Sequence, residues 1–105
     1  MLYDDCSGHD ALLEYLSVDA VGKFISISFM AYPYFEASER IAIEMEFSDV
    51  DTFLLQADMI AMEANRFAGT VNQWKIAEGA GTSYFQLIEG YFTITSRAAP
   101  RLVYK

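Results

Sequence analysis

The chain has 105 residues, 53% hydrophobic and 15% aromatic, enough to bury a sizeable core, which excludes a disordered chain and fits one domain over 1–105. No apolar run approaches the roughly 18 residues of a membrane helix, the acidic start MLYDDCSGHD is unlike a signal peptide, and the one cysteine, Cys6, cannot form an internal disulfide, so a reducing cytoplasm is the expected location. Fifteen acids against seven bases give a net charge of −8, which disfavours nucleic acid and anionic membranes as partners and favours a basic protein.

The charge is unevenly spread. Residues 1–63 hold thirteen acids and two bases, a net of −11, whereas 64–105 hold two acids and five bases, a net of +3. Solubility alone also accounts for an acidic surface.

In chain order, Ser7 and Asp10 fit an S-x-x-D cap, and Leu12, Leu13, Tyr15 and Leu16 follow at roughly helical spacing. This predicts a short helix over 8–17. Residues 22–31 alternate, with Ile25, Ile27 and Phe29 on one face and Phe24, Ser26 and Ser28 on the other, the mark of a half-buried strand. A turn or edge around Pro33 follows. Residues 40–47 form the plainest strand: Ile41, Ile43, Met45 and Phe47 point inward, Glu44 and Glu46 outward. The two strands suit an antiparallel hairpin with a long turn.

Ser48 and Asp51 again resemble a cap, and Val50, Phe53, Leu54, Ala57, Ala61 and Ala64 are spaced as one helical face. A helix is predicted over at least 49–57, with 58–66 open between helix and strand. Strands resume after it. Trp74 and Ile76 share a face opposite Val71, Gln73 and Lys75; Phe85 and Leu87 oppose Tyr84, Gln86 and Ile88; Phe92 and Ile94 oppose Tyr91, Thr93 and Thr95. Gly79 to Gly81 supplies a turn, Gly90 breaks the pattern, and RLVYK adds a last short strand. The expected fold is α+β: a mostly antiparallel sheet of five to six strands with one or two short helices.

Chemistry is sparse. Cys6 and His9 have a ligand-like spacing, but a closed zinc site needs about four ligands and the chain has one cysteine and one histidine. Those residues read as a helix N-cap with a solvated histidine. Glu44 and Glu46 lie about 7 Å apart on one strand face, a separation compatible with glycosidase carboxylates, yet on the wet side of that strand. Walker, G-x-G-x-x-G, G-x-S-x-G and H-E-x-x-H motifs are absent. The chain is therefore expected to be no enzyme, with no cofactor and no metal.

The remaining feature is the acidic run Glu36, Glu39, Glu44, Glu46, Asp49, Asp51, Asp58 and Glu63, interrupted only by Arg40. Gathered on one surface, such acids speed encounter with a basic partner. Tyr32, Tyr34 and Tyr84 add anchoring area. The expected partner-binding set is Glu36, Glu39, Glu44, Glu46, Asp49, Asp51, Tyr32 and Tyr34.

The V-x-x-W-x-I segment at 71–76, the short glycine turn, the aromatic strand ending in Gly90, the apolar strand after it and F-S-D-V at 47–50 together resemble the C-terminal half of small immunity proteins from bacterial polymorphic-toxin systems. The likeness runs over 69–103 and covers at most two thirds of the chain. It implies a protein that neutralises a toxin domain, often a basic nuclease, by occluding its active site. Two alternatives stand beside it. One is a phage-type inhibitor that mimics nucleic-acid charge against a defence nuclease. The other is a β-rich small-ligand-binding or assembly domain, whose mark is an aromatic-lined cavity or a self-pairing edge strand.

Overall fold

The structure is a computed structural model that describes residues 11–32, 37–64 and 70–104. Eight antiparallel strands form two four-stranded sheets. Strands β1 (Leu12–Asp19), β2 (Phe24–Ala31), β3 (Ile41–Phe47) and β8 (Arg101–Tyr104) form sheet A in the order β1-β2-β3-β8. Strands β4 (Val50–Ala57), β5 (Val71–Lys75), β6 (Gly81–Leu87) and β7 (Gly90–Ser96) form sheet B in the order β4-β7-β6-β5. Each sheet is a three-stranded meander completed by the strand that follows the other meander. That exchange interlocks the two halves of the chain. The strand count thus exceeds the expected five or six, and α1 (Met59–Ala64) is the one helix among the described residues.

Alternation places the core. Ile25, Ile27 and Phe29 of β2 and Ile43, Met45 and Phe47 of β3 are buried against Val71, Phe85, Leu87, Phe92 and Ile94 of sheet B. Phe85 is the hub. It stacks on Phe92 with centroids 4.4 Å apart and on Phe29 at 5.7 Å, and meets Phe47 and Trp74 edge-on at 6.2 and 6.0 Å. Each such buried side chain contributes about 1.5–3 kcal/mol of transfer free energy, and offset or edge-on ring pairs add to it.

Two expected helices are strands, for one shared reason. β1 pairs with β2 through Leu13↔Phe29, then Tyr15↔Ser28 and Leu16↔Ile27, so Glu14 is a bulge. β4 pairs with β7 through Val50↔Ser96, then Thr52↔Thr95 and Phe53↔Ile94, so Asp51 is a bulge. An extra residue moves the inward side chains from spacing two to spacing three. Leu13 and Leu16, or Val50 and Phe53, then mimic one face of a helix. The predicted helix over 49–57 is β4, and 11–17 belongs to the approach and body of β1; the rest of the 8–17 prediction lies outside the described residues. The same device corrects Val71. β5 shifts between Val71↔Leu87 and Gln73↔Gln86, so Val71 lies inward with Trp74, not opposite it.

The open stretch after β4 contains the helix. Asp58 accepts the backbone N–H of Ala61 through Oδ1 at 2.9 Å, satisfying a donor that a helix start would otherwise leave unpaired. Gly90 sits where β7 passes β4. A Cβ there would press on the carbonyl oxygen of Gln56 and lie 2.9 Å from the Ala57 Cα, so only glycine fits. β1 and β5 are stitched by a bridge between Leu12 and Thr70 and by Val71 N–H donating to the Ala11 carbonyl at 2.7 Å.

Candidate functional site

The registers define two outer faces. On sheet A, Tyr15, Ser28, Glu44 and Val103 form one cross-strand row, and Ser17, Ser26, Glu46 and Arg101 the next. Glu44 and Glu46 therefore share a face, as alternation requires. β3 then runs into the two-residue corner Ser48-Asp49, where Asp49 takes a positive φ of 52°, a conformation aspartate tolerates better than most residues. Asp51, the bulge residue, follows at once. Glu44 and Glu46 thus share the outer face of sheet A next to the Asp49 corner, whereas Asp51, between the inward-facing Val50 and Phe53, points outward from sheet B with Thr52.

Arginines far away in sequence pair with these acids. The Arg101 guanidinium reaches Glu46 Oε1 at 2.8 Å, with the Glu46 side chain only 22% exposed. Arg97 Nε donates to Asp51 Oδ2 at 3.2 Å, and its backbone N–H donates to the Asp49 carbonyl at 3.0 Å. Tyr15 Oη donates to Glu44 Oε1 at 3.2 Å. The acidic and basic parts of the chain are therefore folded onto one another. In the two outer rows of sheet A, Glu44 and Glu46 meet Arg101 alone, so this face remains net negative.

The other expected residues are scattered. Glu39 is exposed in the β2–β3 connection. Tyr32 is half-buried with the Arg40 guanidinium 4.7 Å from its ring centroid, a cation–π contact. Tyr34, Glu36, Cys6 and His9 lie outside the described residues. β4 carries the chain roughly 23 Å from the corner, so Asp58 and Glu63 sit at its far end, where Asp58 caps α1. Tyr84 belongs to sheet B and donates to Gln86 Oε1 at 3.0 Å. Reading β1 as a helix concealed Tyr15, which the register places beside Glu44.

Sheet B offers the opposite surface. Its outer rows are Thr52, Thr95 and Thr82; Leu54, Thr93, Tyr84 and Lys75; and Gln56, Tyr91, Gln86 and Gln73. Lys75 is the sole charge among them. Thr82 and Thr95 hydroxyls bond at 2.8 Å. Beside this face, where β4 ends, Gln56, Ala57, Asp58, Ile88, Glu89 and Gly90 line an open cleft of about 370 Å³. It contains neither tyrosine nor phenylalanine, unlike the aromatic cavity that a small-ligand-binding domain calls for.

Among the described residues no three His, Cys, Asp or Glu side chains gather as a metal-ligand set, and no helix is long and apolar enough to cross a membrane. No protein-family profile, no curated protein and no solved structure matches this chain.

Proposed function

We propose that this domain is a non-catalytic binding protein that captures a basic protein partner, a toxin or nuclease domain, and blocks its active site as an immunity protein does. The observation that carries this reading is the pair Glu44 and Glu46 on the outer face of β3, which runs directly into the corner that bears Asp49. A single-signed flank steers encounter and rejects like-charged competitors. The nearby arginines fit the same role. Arg97 and Arg101 are 78% and 73% exposed in their side chains, so an incoming cation competes with them for Asp51 and Glu46. Exposed ion pairs of this kind hold by only about 0.2–1 kcal/mol, which makes such exchange easy.

Non-catalytic action follows from inventory. One histidine and one cysteine in the whole chain leave acid chemistry to carboxylates, and those of β3 lie on an open face with hydrogen-bonding neighbours instead of in a dry pocket. The test is the double substitution Glu44→Lys/Glu46→Lys. Expected is a fall of at least tenfold in the association rate with the partner at low salt, with the circular dichroism spectrum retained. Equal rates for both proteins would remove the electrostatic mechanism.

A further inference from the structure

We infer that β4 is a dimerisation edge: two copies of the chain pair their β4 strands antiparallel about a two-fold axis, joining two sheets B into one continuous sheet. The contact does not depend on the proposed capture of a basic partner and uses a different part of the surface.

Hydrogen bonding sets out the site. Asp58 N–H donates to the Glu89 carbonyl at 3.0 Å, so Asp58 and Glu89 are a hydrogen-bonded pair. Antiparallel strands alternate bonded and non-bonded positions. Gln56, Leu54 and Thr52 therefore bond β7, while the N–H and C=O groups of Phe53, Leu55 and Ala57 point to the free side. Among the described residues no strand lies beyond β4. Three alternate residues that offer both a donor and an acceptor are matched by another extended strand.

The other edges are defended and this one is not. β8 has four residues and begins with Arg101. β5 has five, a bulge at Asn72 and Lys75 at its end. β1 is bulged at Glu14 and stitched to Thr70. After its bulge, β4 runs Thr-Phe-Leu-Leu-Gln-Ala with no charge, proline or glycine, the kind of edge that recruits a partner strand. Exposed apolar side chains crowd the same place: Leu54 at 58%, Leu55 at 47%, Met59 at 68% and Ile60 at 84%.

The self-complementary register of the stretch selects a second copy as the occupant, and its lack of charge permits the approach. Two chains of net charge −8 repel wherever their acidic flanks face. The stretch 52–57 is where they meet without opposing acids across the bonded positions. In the two-fold register Leu55 lies opposite its own counterpart and Phe53 opposite Ala57, so every free donor in the stretch finds an acceptor. Salt shortens the range of the repulsion, with a Debye length of about 8 Å at 0.15 M. Dimerisation therefore strengthens as salt rises, whereas capture of a basic partner weakens.

Sedimentation equilibrium of the full chain across concentration and salt is the test, with amide hydrogen exchange under the dimeric condition. Expected are twice the monomer mass, a dimer fraction that grows with salt, and protection of the Phe53, Leu55 and Ala57 amides that is lost on dilution. Leu55→Pro removes an N–H that the fold itself does not use, in a position where an edge strand accepts proline. It should yield a folded monomer. A wild-type chain that stays monomeric up to about 1 mM at every salt concentration overturns the proposal. So does a dimer in which those three amides exchange freely, a result that decides the matter even should the proline variant fail to fold.

Discussion

The two sheets share one core and present opposite surfaces. The outer rows of sheet A carry Glu44, Glu46 and Arg101 among serines, and open onto a corner with Asp49. The outer rows of sheet B carry threonine, glutamine and tyrosine, with Lys75 as the single charge. Under the proposed binding role, one sandwich would separate long-range attraction from short-range contact. Charge acts over a Debye length and sets which molecules arrive. The charge-poor, tyrosine-bearing face of sheet B resembles the charge-depleted centre of a protein interface, and under that role would act after arrival. Arg101 of β8 joins Glu46 on sheet A, while the Arg97–Asp51 pair stays at the corner end of sheet B.

The largest expected effect abolishes the contrast by removing the shared core. Phe85→Ala deletes the ring that touches Phe29 and Phe47 of sheet A and Phe92 of sheet B. It should cost about 3–5 kcal/mol, read as a lower midpoint in urea unfolding. A cost below about 1 kcal/mol would mean that the sheets do not depend on this residue. Next, Gly90→Ala drives a methyl group into the β4 backbone and should loosen sheet B selectively. About 1–3 kcal/mol is expected, with hydrogen exchange accelerating in β4 and β7 before β2 and β3. Uniform acceleration would indicate that the sheets open as one unit.

A smaller effect isolates the faces. Glu44→Gln/Glu46→Gln should slow partner capture at low salt, whereas Thr93→Lys/Gln86→Lys, the same +2 change in net charge on sheet B, should leave its salt dependence unchanged. Matching salt slopes for the two doubles would show that net charge matters and its position does not. The smallest effect concerns the arginines. Arg101→Ala frees Glu46 at a stability cost of about 0.2–1 kcal/mol, and should modestly speed capture of a basic partner. Slower capture would mean that Arg101 contacts the partner itself.

How far the sequence disclosed this arrangement depended on position in the sheet. β2, β3, β6 and β7 are interior strands with unbroken alternation, and their inward residues Ile25, Ile27, Phe29, Ile43, Met45, Phe85, Leu87, Phe92 and Ile94 were legible as core. β1, β4 and β5 are edge strands with one bulge each. Bulges twist an edge and interrupt its pairing where they occur, which at Asp51 is only the start of β4, and the same inserted residue gives inward side chains a helical spacing. Leu13 and Leu16, Val50 and Phe53, and Val71 and Trp74 are the three cases. A lack of charge in 52–57 within an otherwise acidic run was the available clue that β4 differs from an exposed helix.

The site was legible in part for a similar reason. That Glu44 and Glu46 share a face follows from local alternation. Their relation to Tyr15, Arg97 and Arg101 does not, because those contacts span 29 to 55 residues of chain and arise only from strand order. Composition reported a chain of two opposed charge blocks. Topology places β8 beside β3 and thereby joins them.

The most direct test of the account is a paired capture experiment from a lysate of the native host, with the wild-type chain and Glu44→Lys/Glu46→Lys as baits. The account predicts that a basic protein is retained on the wild-type bait at low salt, elutes as salt is raised, inhibits growth or cleaves nucleic acid when freed, and is missing from the variant. The same proteins on both baits, with the same salt profile, would contradict it.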